Sequence, residues 1–299
     1  MADSAALHWL ALRLRALRAF SFPLSALPVW VGTAAVLPPS QWDWGALLVA
    51  TLAVLMLHSA GNLFNDYFDF TAGADRRDED DQGRPGRLLV RGEMTAPQIL
   101  HEALFCLCLG FLAAGYLVLR AGPGLVGYFG GAVFALYAYT GPPFRLKGRA
   151  LGEVVMLVVF GPLIVGGAAY AQGVGMSLEL LVLSVPVGMV TTSVLAGNNL
   201  RDYAEDADSD TRTMAQLIGA RGQRVLYTVL VLGQTFGVAA FGLTGLAGPE
   251  AVFAPLLLVL IFGTLRRVWR GERLPDVDAR TARFGTALLT LLFLSLCLH

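Results

Sequence analysis

Apolar runs near the length that crosses a bilayer alternate with short polar segments along the whole chain. Nine can be delimited, at 20–38, 45–65, 98–120, 123–140, 151–171, 178–199, 223–245, 250–265 and 281–298. A hydrocarbon layer about 30 Å thick takes roughly 20 helical residues, and without water to satisfy peptide groups each run must be a helix. The pattern predicts an all-α, polytopic transmembrane bundle of nine helices, a single domain over residues 1–299 with no separate soluble unit. The opening ALHWLALRLRALR interleaves leucine with arginine and reads as an amphipathic interfacial helix. No small-residue cleavage site marks it as a removable signal peptide.

The charged positions orient this array. Of the 22 basic residues, all but Arg120 fall before the first run or in alternate connections, after runs two, four, six and eight. A wrong count of spans would scatter them over both sides. The positive-inside rule then places the N-terminus and the long charged loops in the cytoplasm of a multi-pass inner (cytoplasmic) membrane protein, with the C-terminus outside. The outward connections, PPSQWDW and QGVGMSLE among them, are short. Function is therefore expected on the cytoplasmic face, in a central cavity open to that side.

Composition agrees: 299 residues are 56% hydrophobic and only 15% charged, against roughly 25% charged in soluble domains, with a mean hydropathy of +0.62. Net charge is zero, which argues against nucleic acid as a partner. Cys106, Cys108 and Cys297 lie in apolar runs without metal-ligand spacing and are expected to be buried, inert thiols.

Two polar stripes interrupt the apolar pattern. In NLFNDYFD, Asn62, Asn65, Asp66 and Asp69 stand three and four residues apart and share one helical face, with His58 a turn deeper. In GNNLRDYAEDADSD, Asn198, Asp202 and Asp206 recur every fourth residue. Both stripes close an outward-to-inward helix, so they end at the same depth, and their spacing suggests a pseudo-repeat of helices 1–4 and 5–8. Carboxylates are costly at a membrane and face a cavity or a partner when present. Four on two facing helices repel unless cations lie between them, and Mg²⁺ is held by one or two carboxylates per ion together with substrate phosphates. Arg77, Arg84, Arg87, Arg91, Arg145, Lys147, Arg201 and Arg212 supply cations for a diphosphate. The acidic run DRRDEDD at 75–81 is read as solvated surface.

These residues resemble the UbiA superfamily of intramembrane aromatic prenyltransferases, which carry two aspartate-rich motifs at the cytoplasmic ends of the second and sixth of nine helices. NLFNDYFDFTAGAD, with its acid Asp75, and NNLRDYAED followed by TRT and LIG are most similar to the MenA-type members, which prenylate 1,4-dihydroxy-2-naphthoate. RAFSF, which contains Arg18, YTGPPF and LGE are similar to segments of the same type. The chain departs from the pattern at Ala207, Asp210 and Thr211, where relatives often carry basic residues or Gly-Lys, which leaves Arg212 as the cation there.

The resemblance implies Mg²⁺-dependent transfer of a polyprenyl group from its diphosphate to an aromatic acid, within membrane lipid. It implies metal binding by Asp66, Asp69, Asp202 and Asp206, and substrate binding by Asn62, Asn65, Asp75, Asn198, Asn199, Arg201, Arg145, Arg212 and Arg18. An allylic cation needs a dry, electron-rich pocket, for which Tyr67, Phe68, Tyr137 and above all Tyr139 are candidates. Lys147, the only lysine, or Arg145 is the candidate to hold the acceptor's carboxylate. His58 reads as a packing hydrogen bonder. Two other classes stand beside this one. The CDP-alcohol phosphotransferases have a continuous signature that is absent here, and a transporter would place its acids at mid-membrane rather than at helix ends.

Overall fold

The computed structural model describes residues 2–71, 73, 88–206, 212–272 and 274–299, and the side chains of all of these except 2–8, 205 and 206. Among the described residues the regular elements are all helices, apart from one isolated bridge. In chain order the helices are α1 Ala2–Ala16, α2 Phe22–Ala34, α3 Trp44–Thr71, α4 Ala96–Ala121, α5 Leu125–Thr140, α6 Gly152–Ala171, α7 Leu178–Arg201, α8 Met214–Thr244, α9 Pro249–Trp269 and α10 Val277–Leu298. Seven of them, α3, α4 and α6 to α10, are long and apolar enough to cross a membrane, so the chain is a multi-pass membrane protein. The apolar helices at Ala19–Ala34 and Leu125–Thr140 are shorter.

Local chemistry sets the ends of these helices. Thr95 and Gln98 cap α4 reciprocally, the Gln98 Oε1 accepting from Thr95 N at 2.8 Å. Ser177 Oγ accepts from Leu180 N at the start of α7. At the other end of α3 the helix runs six residues past the apolar pattern, to Thr71, and so keeps its acidic stripe on continuous helix. In α7 regular helix stops at Arg201, Asp202 takes φ −90° and ψ 4°, and a separate turn covers Tyr203–Asp206. The expected single stripe Asn198, Asp202, Asp206 is therefore broken at its middle member, where Asp202 turns its carboxylate back onto the Arg201 guanidinium.

Inside α6 the Gly161–Pro162 pair interrupts the hydrogen-bond ladder with a π turn, since proline has no N–H to donate. Gly161 and Gly188 let α6 and α7 meet backbone to backbone. A Cβ on Gly188 would lie 2.4 Å from the Leu157 carbonyl oxygen, and one on Gly161 would lie 2.7 Å from that of Ser184. Lipid is as apolar as leucine, so such close packing replaces hydrophobic burial as the force joining spans.

The main core is shared by α2, α6, α7, α8 and α10, around Val187, Val190, Tyr227, Phe284 and Leu288. A second core, containing Ala60 and Leu63 of α3 and Ile99, Ala103 and Cys106 of α4, supports the end of α3 that bears the first stripe. The interfacial α1 is tied to α4 by Arg13–Glu102 and to the segment before α4 by Arg15–Glu93 at 3.1 Å. Cys106 is buried as expected, but Cys108 is exposed: two residues on, it falls on the opposite face of α4. Cys297 is only partly buried.

Candidate active site

The first stripe lies on the last two turns of α3. Leu63 and Ala60 anchor the buried side of that helix, which leaves Asn62, Asn65, Asp66 and Asp69 directed away from the second core. Asp66 is buried, and Arg18 Nη2 donates to its Oδ1 at 2.6 Å. Arg18 sits in the left-handed region, φ 53°, unusual for a residue with a side chain. Its carbonyl accepts from Ser21 Oγ at 2.7 Å, and Ser21 and Ser25 bracket the His58 ring at 2.9 and 2.8 Å. His58 thus joins α3 to the start of α2, and the strained corner at Arg18 is held by the same network.

Three residues further along α3, Asp69 Oδ2 accepts from Lys147 Nζ at 2.9 Å, and Asn65 Oδ1 lies 3.3 Å from the same ammonium. Lys147 comes from the connection between α5 and α6. Burial there favours its neutral form, but the Asp69 carboxylate beside it prevails and raises its pKa above the ordinary lysine value. The connection is itself anchored. Tyr137 OH donates to the Pro142 carbonyl at 2.6 Å, and Ala150 N donates to the Arg212 carbonyl at 2.9 Å. This last bond, with Arg212 N to the Gly148 carbonyl at 3.3 Å, stitches the α5–α6 connection to the α7–α8 connection.

The second stripe stands at the end of α7. Arg201 grips Asp202 with two parallel bonds, Nε to Oδ1 at 2.7 Å and Nη2 to Oδ2 at 2.9 Å, while its Nη1 donates to Asp278 of α10 at 2.6 Å. Asn199 Nδ2 donates to Glu153 Oε1 of α6 at 2.8 Å, both residues being buried. Tyr139, partly buried at the end of α5, lies where these groups meet. The charges that reach its hydroxyl are those of Lys147, Glu153, Asp69 and Arg18.

Most of the residues singled out from sequence thus have placed partners. Arg145, with φ 45°, and Arg212 are both exposed at the surface of their connections. Phe68 stacks on Phe64, and Tyr137 is exposed, so these two rings pack or anchor. Asp75, Arg77, Arg84, Arg87, Ala207, Asp210 and Thr211 lie outside the described residues, as does the Asp206 side chain. Asp278 and Ser25 carry no sequence motif of their own, while Glu153 and Ser21 lie in the LGE and RAFSF segments without an assigned role. The other signal for Glu153 was a single acid in an otherwise uncharged run, 151–171.

The donor set suits a hard divalent cation, since it offers carboxylate and amide oxygens and no thiolate. Two buried polar atoms on the stripes, Asn62 Nδ2 and Asn198 Oδ1, have no hydrogen-bond partner, as expected of groups that await a polar ligand. Among the described residues no three acidic, histidine or cysteine side chains converge. These residues would supply only part of a divalent ion's oxygen ligands, the remainder coming from water or substrate.

Comparison with known proteins gives the same outline. A sequence profile described as the UbiA prenyltransferase family matches residues 25–296. The chain is 32% identical over 274 residues to the UbiA prenyltransferase domain-containing protein 1 of Gallus gallus, covering 91% of this chain and 80% of that protein. It is 35% identical over 244 residues to the 1,4-dihydroxy-2-naphthoate octaprenyltransferase of Mycobacterium tuberculosis, covering 80% of each. Among solved structures, the UbiA homologue of Aeropyrum pernix K1 superimposes with a TM-score of 0.67 at 19% identity, over 93% of this chain and 97% of that one. The Archaeoglobus fulgidus homologue bound to GPP and Mg²⁺ gives 0.63 at 16% identity, over 93% and 99%.

Proposed function

Because the chain belongs to the UbiA prenyltransferase family, we propose that it transfers a polyprenyl group from polyprenyl diphosphate to an aromatic acid, most specifically 1,4-dihydroxy-2-naphthoate, to give demethylmenaquinone. The observation that carries this reading is the pair of acid-bearing helix ends, with Asp66, Asp69 and Asp202 matched to cations and each stripe retaining an unpaired amide atom. The naphthoate acceptor is supported by the Mycobacterium tuberculosis relative. Mg²⁺ is supported by its presence with GPP in the Archaeoglobus fulgidus homologue.

In this reading Asp66, Asp69, Asp202 and Asp206 hold the metal, with Asp75 beside them. The metal supplies Lewis-acid stabilisation of the departing diphosphate. The chain's own part is electrostatic and steric. Arg18, Lys147 and Arg201, which hold the acids in place, are charge-assisted donors positioned to meet phosphate oxygens. Asn62, Asn65, Asn198 and Asn199 orient the diphosphate, and Arg145 and Arg212 meet it from the exposed side. Lys147 is also placed to receive the acceptor's carboxylate. Tyr139 presents an aromatic face to the allylic cation, and the surrounding apolar helices exclude the water that would capture it. The prenyl tail extends between helices into lipid, where protein and bilayer are equally apolar.

The topology proposed with this chemistry has nine spans, with α2 and α5 completing the seven long helices, an N-terminus in the cytoplasm, a cavity open to that side and a bacterial-type inner membrane as the site. One domain covers the chain, built as two four-helix repeats. The test is turnover by the purified protein in liposomes. With Mg²⁺, a polyprenyl diphosphate and 1,4-dihydroxy-2-naphthoate, diphosphate is released and prenylated product forms. EDTA stops the reaction and added Mg²⁺ restores it. Turnover that persists in EDTA removes the metal assignment, and ion flux without prenylation returns the transporter.

A further inference from the structure

Two acidic side chains are buried among the described residues, Asp66 and Glu153. Asp66 is neutralised by Arg18. Glu153 meets no cation among the described residues; its hydrogen-bond partner is a neutral amide, Asn199 Nδ2 at 2.8 Å. The difference matters chemically. A carboxylate locked to a guanidinium has little affinity left for a proton, whereas one held by an amide in a dry site keeps its basicity.

Its position is equally specific. Glu153 opens α6 beside Gly152, and a Cβ on Gly152 would lie 3.5 Å from Cε2 and 3.7 Å from the hydroxyl of Tyr139. Tyr139 in turn is reached by the charges of Glu153 on one side and of Lys147, Asp69 and Arg18 on the other. Through Asn199, Glu153 also touches the second stripe. A flat acceptor held at Lys147 and Tyr139 therefore has Glu153 as the one buried acid free of an ion pair at its edge.

We infer that Glu153 is the general base that removes the hydroxyl proton of the aromatic acceptor, an inference that rests on the prenyl-transfer reading above. The acceptor O–H bond breaks and its proton passes to the Glu153 carboxylate, leaving an aryl oxide. A ring carbon activated by that oxide forms a bond to C1 of the prenyl group. The C1–O bond to diphosphate breaks and its electron pair leaves with the diphosphate. The group at the attacked ring carbon, H⁺ or CO₂, then departs and leaves its bonding pair in the ring. The ring oxygen takes the proton back from Glu153, which returns to carboxylate.

The experiment uses Glu153→Gln, which keeps an oxygen to accept from Asn199 and removes only the base. With Mg²⁺, geranylgeranyl diphosphate and an acceptor whose hydroxyl is un-ionised at the assay pH, kcat falls by about 100-fold or more, while the KM for the diphosphate stays within about twofold. With a nitro-substituted hydroxynaphthoate that is already ionised, wild type and variant turn over alike, because no base is required. Unchanged kcat on the un-ionised acceptor overturns the assignment, and so do equal losses on both acceptors, which would make Glu153 a packing residue. If the wild type prenylates no hydroxylated aromatic at all, the prenyl-transfer reading falls and the base with it. Turnover by the wild type with an indifferent Glu153→Gln removes the base alone.

Discussion

Three acids of the two stripes are engaged with cations from different parts of the chain: Asp66 with Arg18 from before α2, Asp69 with Lys147 from the α5–α6 connection, and Asp202 with its neighbour Arg201. Such pairing keeps the acids charged in a poorly solvated place, where an uncompensated charge would cost several kcal/mol. Replacing Asp66 or Asp202 by Asn keeps the shape and removes the anion. Each variant is expected to lose at least about 100-fold in kcat while keeping its helical circular dichroism, and activity within threefold of wild type in either would exclude that residue from the metal site. Lys147→Met is expected to raise the KM for the acceptor or the diphosphate about tenfold, the worth of one hydrogen bond to a charged group. The raised pKa of Lys147 gives that effect a pH signature. A raised value means the ammonium persists through and beyond the ordinary lysine range, so the ratio of wild-type to variant kcat/KM should stay flat from pH 7 to about 9; a ratio that collapses in that window would show that Lys147 loses its proton early. The stripes were legible because asparagine and aspartate at helical spacing have no ordinary place in an apolar run. Glu153 stood in the LGE segment but its role was not legible, since a lone acid in an apolar run carries no spacing, and neither was Arg18's pairing, which depends on a left-handed turn.

At the level of elements, the position of the site depends on how closely α6 and α7 approach. Gly161 and Gly188 bring their backbones into contact, and this places Glu153 against Asn199 at the cytoplasm-facing ends proposed for both helices. Gly188→Val has to push the Leu157 carbonyl aside, an overpacking that costs about 1–3 kcal/mol. The expected result is a lower melting temperature in detergent with partial loss of activity, and an unchanged melting curve would show that the two helices can separate freely. Nine apolar runs were readable from the sequence; seven of them coincide with helices long enough to cross a membrane, and two with the shorter apolar helices Ala19–Ala34 and Leu125–Thr140. Their interruptions were not readable: the π turn in α6, the break at Asp202 and the change at Gly219 inside α8, where φ is 74°. Hydropathy sees only how greasy a segment is, and a kink with satisfied hydrogen bonds leaves that unchanged.

On the scale of the whole molecule, backbone bonds between Gly148, Ala150 and Arg212 join the α5–α6 connection to the α7–α8 connection beside the acids. The orientation of that face in the membrane is testable in a background with Cys106, Cys108 and Cys297 replaced by Ala. Ser40→Cys, between α2 and α3, is expected to react with a membrane-impermeant maleimide on intact cells, and Arg270→Cys, between α9 and α10, only after permeabilisation. The reverse pattern would invert the topology. By itself the sequence determined the helical class, the family and the two acidic helix ends, because these follow from local quantities: the solvent preference of each run, the 3.6-residue period and the sign of each charge. Which cation neutralises which acid, which buried acid is left with an amide alone, and where α7 stops were decided only by the tertiary structure. Those outcomes depend on the approach of segments up to 82 residues apart, such as Asn65 and Lys147, and no spacing along the chain encodes a distance across it.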